Sequence, residues 1–241
     1  MIDFFQQLNW LSVGQIVLID ILLGGDNAIL IAMACRNLSP ELRLKGILWG
    51  TAGAIIIRII LITFAVTLLQ VPFLKLIGGL LLIWIGVRLL ADNADDHDNV
   101  AASSRLSGAI KTIIVADLVM SIDNVMAIAS AAERAGGEHQ LPLVIIGILI
   151  SIPIVVWGST LVLKMMERVP LIITCGAGLL GYLGGAMMVS DIVIESRLDA
   201  TLPPSLLHIG GWGVILSVPG LLAGASVIFL GIWLAGRTPA A

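Results

Sequence analysis

VLIDILLGGDNAILIA (17–32) and IVADLVMSIDNVMAIA (114–129) decide how this chain is read. At an offset of 97 residues, Asp20 falls on Asp117, Asp26 on Asp123 and Asn27 on Asn124. The surrounding residues are almost all apolar. A carboxylate at mid-membrane costs about 2.5–3.5 kcal/mol on insertion scales. Four of them represent on the order of 10 kcal/mol, comparable with the whole net stability of a domain, about 5–15 kcal/mol. Such residues must face one another, a cavity, a cation or a proton. A protonated Asp bonding between helices explains one such residue well and a duplicated set of four poorly.

Composition places these segments in a membrane. Of 241 residues, 59% are hydrophobic and 12% charged, and the mean hydropathy is +1.08. A soluble domain carries about 45–50% apolar and about 25% charged residues, so a water-soluble enzyme and a disordered scaffold are excluded. A net charge of -3 without a basic stripe excludes a nucleic-acid partner. Cys35 and Cys175 lie in apolar runs, which does not support a disulfide framework. The opening MIDFFQQLNW lacks the basic start of a cleaved signal, so the first apolar run is expected to be retained.

A helical span needs about 20 apolar residues. Seven stretches qualify, at 11–34, 47–69, 72–91, 109–131, 142–163, 170–190 and 212–235, whereas the alternating ten-residue segments of a β-barrel are missing. The expected fold is an all-α membrane protein, one transmembrane domain of seven helices. Glycine clusters such as GAGLLGYLGG (176–185) allow close helix approach. With the N-terminus outside and the C-terminus inside, Arg36, Arg43, Lys45, Arg88, Arg105, Lys111, Lys164, Arg168 and Arg237 lie inside and only Lys75, Arg134 and Arg197 outside.

The matching motifs extend into a repeat. Gly46-Ile47-Leu48 echoes Gly147-Ile148-Leu149, and Val71-Pro72 echoes Val169-Pro170. Residues 10–91 and 109–190 therefore read as two three-helix units. They are joined by a cytoplasmic acidic linker at 92–108 and followed by an outer loop at 191–211 and a seventh helix at 212–235. An odd number of spans per unit inverts one relative to the other, an architecture of secondary transporters with the substrate site near the midplane.

Residues six apart are displaced by about 120° on an ideal helix, so Asp20 and Asp26 share a face only if the helix is broken between them. Gly24-Gly25 is the expected break, and Ser121-Ile122 in the second copy should leave its helix more regular. Carboxylates, amide oxygens and freed carbonyls form an oxygen ligand set for a hard divalent cation such as Mg²⁺, Ca²⁺ or Mn²⁺. The candidate metal site is Asp20, Asp26, Asn27, Asp117, Asp123 and Asn124. His97, His139 and His208 all lie outside the spans. Met120 and Met126 flank the second motif and read as soft thioether ligands favouring Mn²⁺ or, more ordinarily, as packing. Arg58, at mid-span with its counterpart near Ser159, reads either as a stand-in for an absent cation or as charge compensation for a structural Asp. The linker acids Asp92, Asp95, Asp96 and Asp98, with His97, read as a metal-collecting entrance or, more simply, a solvated connection. Asp191 and Glu195 read as charges at an outer exit or, more simply, as solvated charges of the outer segment, which reads as a loop or a short interfacial piece.

GGDNA (24–28) and SIDNV (121–125), flanked by Asp20 and Asp117, resemble the TerC family of integral membrane proteins, grouped with the LysE exporters. The resemblance covers roughly residues 11–190. It implies a bacterial inner-membrane protein that exports metal ions, manganese above all, and extends site roles to the six residues of the paired motifs. The family's tellurite label fits poorly, because an Asp-lined path repels an anion. The expected function is therefore efflux of a divalent cation, Mn²⁺, by alternating access, without enzymatic activity or a cofactor beyond the transported ion. Energy would come from the membrane potential or a proton gradient, since no P-loop is present. The expected partners are the metal ion and the bilayer, with a homo-oligomer left open. The competing readings are an intramembrane aspartyl protease and an exporter of cationic amino acids.

Overall fold

Serine and proline mark several helix starts. Ser39 precedes Pro40, whose fixed φ suits the first helical position, and the Ser39 carbonyl accepts from the N–H groups of Leu42 and Arg43 at 2.9 and 3.0 Å. The computed structural model describes residues 14, 17–18, 25–69, 71–91, 102–135, 140–201, 208–211 and 214–236. The described residues form eight helices: α1 (Gly25–Cys35), α2 (Pro40–Leu69), α3 (Leu74–Ala91), α4 (Ala102–Ala135), α5 (Gln140–Arg168), α6 (Leu171–Val189), α7 (Ile192–Thr201) and α8 (Val218–Ala235). An antiparallel hairpin, β1 (His208–Gly211) and β2 (Val214–Ser217), precedes α8, with His208 opposite Ser217.

Among the described residues, five helical segments are long and apolar enough to cross a membrane: Pro40–Ile62, Leu74–Ala91, Ile145–Arg168, Leu171–Val189 and Val218–Ala235. They coincide with five of the expected spans. The expected 109–131 stretch is continuous helix within α4, and of 11–34 residues 14, 17–18 and 25–34 are described, the last of these within the short apolar helix α1. The expected break at Gly24-Gly25 falls at the edge of the described residues, since Gly24 and the residues before it back to 19 lie outside them. In the second copy α4 runs unbroken through Ser121-Ile122.

The helices pair crosswise. α2 lies along α4 and α1 along α5, α3 packs on α6, and α8 covers α6 and α3. Glycine governs the α3–α6–α8 layer. A Cβ on Gly184 would come within 2.6 Å of the Gly79 carbonyl oxygen, and one on Gly185 within 2.6 Å of the Pro219 carbonyl oxygen. The backbones touch there, which no other residue permits. In the α2–α4 pair, Gly53 instead receives a side chain, Ile114 Cδ1, at 2.5 Å from its would-be Cβ.

Three expectations are corrected between α6 and α8. Residues 191–211 are not simply a loop, because they contain α7 and β1, and the seventh helix begins at Val218 rather than 212 because β2 takes up 214–217. Asp191 is not a solvated charge: it is 1% exposed. Its Oδ1 accepts from the N–H groups of Phe73 (3.2 Å) and Val193 (3.1 Å), and its Oδ2 from those of Lys75 (3.2 Å) and Leu76 (3.3 Å). One carboxylate thus satisfies otherwise unpaired N–H groups at the starts of both α3 and α7. It also holds Phe73 at φ 61°, a left-handed conformation that is costly for a bulky residue. Glu195, by contrast, is exposed.

Candidate functional site

Helical spacing builds the site. Thr51 and Arg58, seven residues apart, share a face of α2, and Asp117 and Ser121, four apart, share a face of α4. The crosswise pairing of α2 with α4 turns these faces together. Arg58 Nη2 donates to Asp117 Oδ1 at 2.6 Å and Arg58 Nε to Ser121 Oγ at 3.1 Å, while Ser121 Oγ donates to Asp117 Oδ2 at 3.1 Å. Arg58 and Asp117 are only 6% and 4% exposed. Buried pairs of this kind are tolerated when the geometry is good and the remaining lone pairs are satisfied. Both conditions hold for this triad.

Beside the pair lies a cavity of about 30 Å³, walled by α1, α2, α4 and α5 through Asn27, Thr51, Arg58, Asp117 and Ser151 among apolar neighbours. That volume suits about one water molecule. Asn27 Oδ1 and Thr51 Oγ1 are buried there without a hydrogen-bond partner among the described residues. A buried polar atom left unpaired costs about 1–3 kcal/mol, so two on one small cavity mark a place shaped for something other than stability. On the α5 side, Ser151 Oγ donates to the Ile148 carbonyl at 2.8 Å. Two residues later Pro153 lies inside the helix and cannot supply the N–H that the Leu149 carbonyl would receive. The helix is therefore locally weakened where it borders the cavity.

Of the six residues read as a metal site, Asn27 and Asp117 border the same cavity. Asp26 is half-buried at the first turn of α1, accepts the Asn27 N–H at 2.8 Å, and does not line that cavity. Asn124 is half-buried on α4, seven residues beyond Asp117 and so on the same helical face. Asp20, the linker acids and the side chain of Asp123 lie outside the described residues. Among the described residues no group of three or more His, Cys, Asp or Glu side chains gathers in one place. Sequence reasoning missed Thr51, Ser121 and Ser151. Their signal was spacing from Arg58 and Asp117 by whole helical turns for the first two, and none for Ser151.

Residues 5–225 match the family described as "Integral membrane protein TerC family". The chain belongs to the TerC family. Over 181 residues it is 45% identical to "Uncharacterized membrane protein YjbE" of Bacillus subtilis (strain 168), covering 75% of this chain and 80% of that protein. "Uncharacterized membrane protein YkoY" of the same organism is 24% identical over 247 residues, 94% of this chain and 74% of that one. "UPF0053 inner membrane protein YgdQ" of Escherichia coli (strain K12) is 25% identical over 179 residues, 67% and 73% of the two chains. No solved structure matches the chain. This TerC-family chain is thus an integral, multi-pass membrane protein with a bacterial inner-membrane relative.

Proposed function

We propose that this TerC-family protein exports a divalent cation, Mn²⁺, across the bacterial inner membrane by alternating access of two inverted three-helix units. The observation that carries the reading is the buried Arg58–Asp117 pair beside a small cavity with two unpaired oxygens, Asn27 Oδ1 and Thr51 Oγ1. A guanidinium here occupies the side of Asp117 that a metal ion would approach. Metal entry then requires Arg58 to be displaced, and metal release lets it return, so the carboxylate is never left unpaired in hydrocarbon. The cavity admits an ion stripped of nearly all its water, with oxygens of Asp117, Asn27 and Thr51 replacing part of the hydration shell. Mg²⁺ sheds water reluctantly, which favours the other hard cations, and the resemblance selects manganese among them. Asp20, Asp26, Asp123 and Asn124, the other residues of the paired motifs, serve as its further ligands.

The crosswise contacts support the inverted-repeat reading. Exchanging α1 with α4, α2 with α5 and α3 with α6 maps α2–α4 onto α5–α1 and leaves α3–α6 unchanged, and each of these pairs is in contact. An N-terminus-out arrangement puts the joined ends of α3 and α4 in the cytoplasm. A proteolytic dyad needs two facing carboxyls, whereas Asp117 faces Arg58, which disfavours that alternative.

The test is cellular manganese in a strain sensitised to it. Wild-type protein lowers the content, and Asp26→Asn, Asp117→Asn and Asp123→Asn variants present in the membrane at equal level do not. An Asp26→Asn or Asp123→Asn protein that lowers manganese as well as wild type ends this reading. Lysine efflux in the same cells separates the amino-acid exporter.

A further inference from the structure

A second and larger cavity, about 430 Å³, opens between the C-terminal part of α3, the N-terminal part of α4 and the turn after α1. Three cations border it, Arg88 from α3 and Arg105 and Lys111 from α4, and none of them forms an ion pair with a described acidic side chain. Its remaining wall is largely apolar, with Leu89 and Val115 facing in. Trp84 stands at the rim, 55% exposed, and the Arg88 guanidinium lies 5.4 Å from the centre of its ring. Trp84 is seven residues from the end of α3, about 10 Å along the axis.

We infer that this cavity seats the headgroup of an anionic phospholipid. Three cations in one concave site draw a phosphate, and basic pockets between spanning helices are where acidic lipid headgroups bind. The apolar wall decides the source. Free phosphate would satisfy the cations and leave Leu89 and Val115 wetted, whereas a phospholipid lays glycerol and acyl carbons on them. The linker acids Asp92, Asp95, Asp96 and Asp98 follow α3 in the sequence and offer charge with little apolar surface. The inference is independent of what the protein transports.

The test uses the full-length protein purified in neutral detergent, with thermal unfolding and native mass spectrometry as readouts. Phosphatidylglycerol or cardiolipin should raise the melting temperature and remain bound, while phosphatidylcholine should do neither. Arg88→Gln, Arg105→Gln and Lys111→Gln should each weaken retention about five-fold without changing the melting temperature in lipid-free detergent. Equal protection by phosphatidylcholine, a fact readable on wild type alone, overturns the proposal, as does undiminished retention by the triple variant. Equal protection by inorganic phosphate overturns the lipid as the source. Lipid binding that appears only after the four linker acids are changed to Asn overturns it in favour of the linker as occupant.

Discussion

The α3–α6–α8 layer and the α1–α2–α4–α5 group solve the problem of burial in lipid in opposite ways. In the layer, backbone meets backbone at Gly79–Gly184 and at Gly185–Pro219, and α6 and α8 carry no charged side chain. In the group, glycines of α2 receive the movable side chains Ile113 and Ile114, and a buried ion pair borders a cavity with unpaired oxygens. Tight backbone contact leaves no alternative arrangement at similar energy. Side-chain contact, a cavity and a proline-weakened α5 leave several. The layer therefore reads as the fixed frame and the group as the part able to change shape.

The largest effect should come from breaking the charge pair. Asp117→Ala or Arg58→Ala leaves an uncompensated buried charge and should cost about 3–5 kcal/mol, seen as a lower melting temperature in detergent. Arg58→Met with Asp117→Leu should cost clearly less than the two single changes summed, because no charge is stranded. Next comes the frame. Gly184→Ala pushes a methyl into the Gly79 carbonyl and should cost about 1–3 kcal/mol. Gly53→Ala, met by the flexible end of Ile114, should cost less than half as much in the same denaturant titration. Their equality would erase the distinction between frame and moving part. Asp191→Ala removes a shared cap and should cost about 1–2 kcal/mol, with faster amide exchange at Lys75 and Leu76. The smallest effect on stability is Thr51→Val, which removes an unpaired hydroxyl and should shift stability by at most about 1 kcal/mol. Manganese efflux should nevertheless fall in that variant. Stability and efflux falling together would make Thr51 a packing residue only.

Five spans were legible because long apolar runs admit one answer in lipid, and their ends were less so. Gly211 to Ser217 is apolar and continuous with α8, so length alone merged the hairpin strand β2 into the last helix; a short apolar run does not reveal its period. Arg58 and Asp117 were legible as charges in hydrocarbon, since nothing else in a span is as costly. Which Asp meets Arg58 depends on α2 lying along α4, a tertiary fact. Thr51 and Ser121 carried only the weak signal of whole-turn spacing from Arg58 and Asp117, and Ser151 carried none, because a hydroxyl in a spanning helix can bond its own backbone, as Ser151 does, and so raises no alarm. Asp191 misled because it sits beside polar residues at a span end, while the N–H groups it serves come from two separate helix starts.

The crosswise pairing has a consequence for biogenesis. α2 finds its main companion only when α4 has been synthesised, and α1 waits longer, for α5. During translation the first three helices therefore enter the bilayer as unassembled neighbours, with Arg58 lacking Asp117 until the chain beyond the linker arrives. Severing the gene at the linker should leave either fragment a target for membrane proteases, and supplying both together should rescue both.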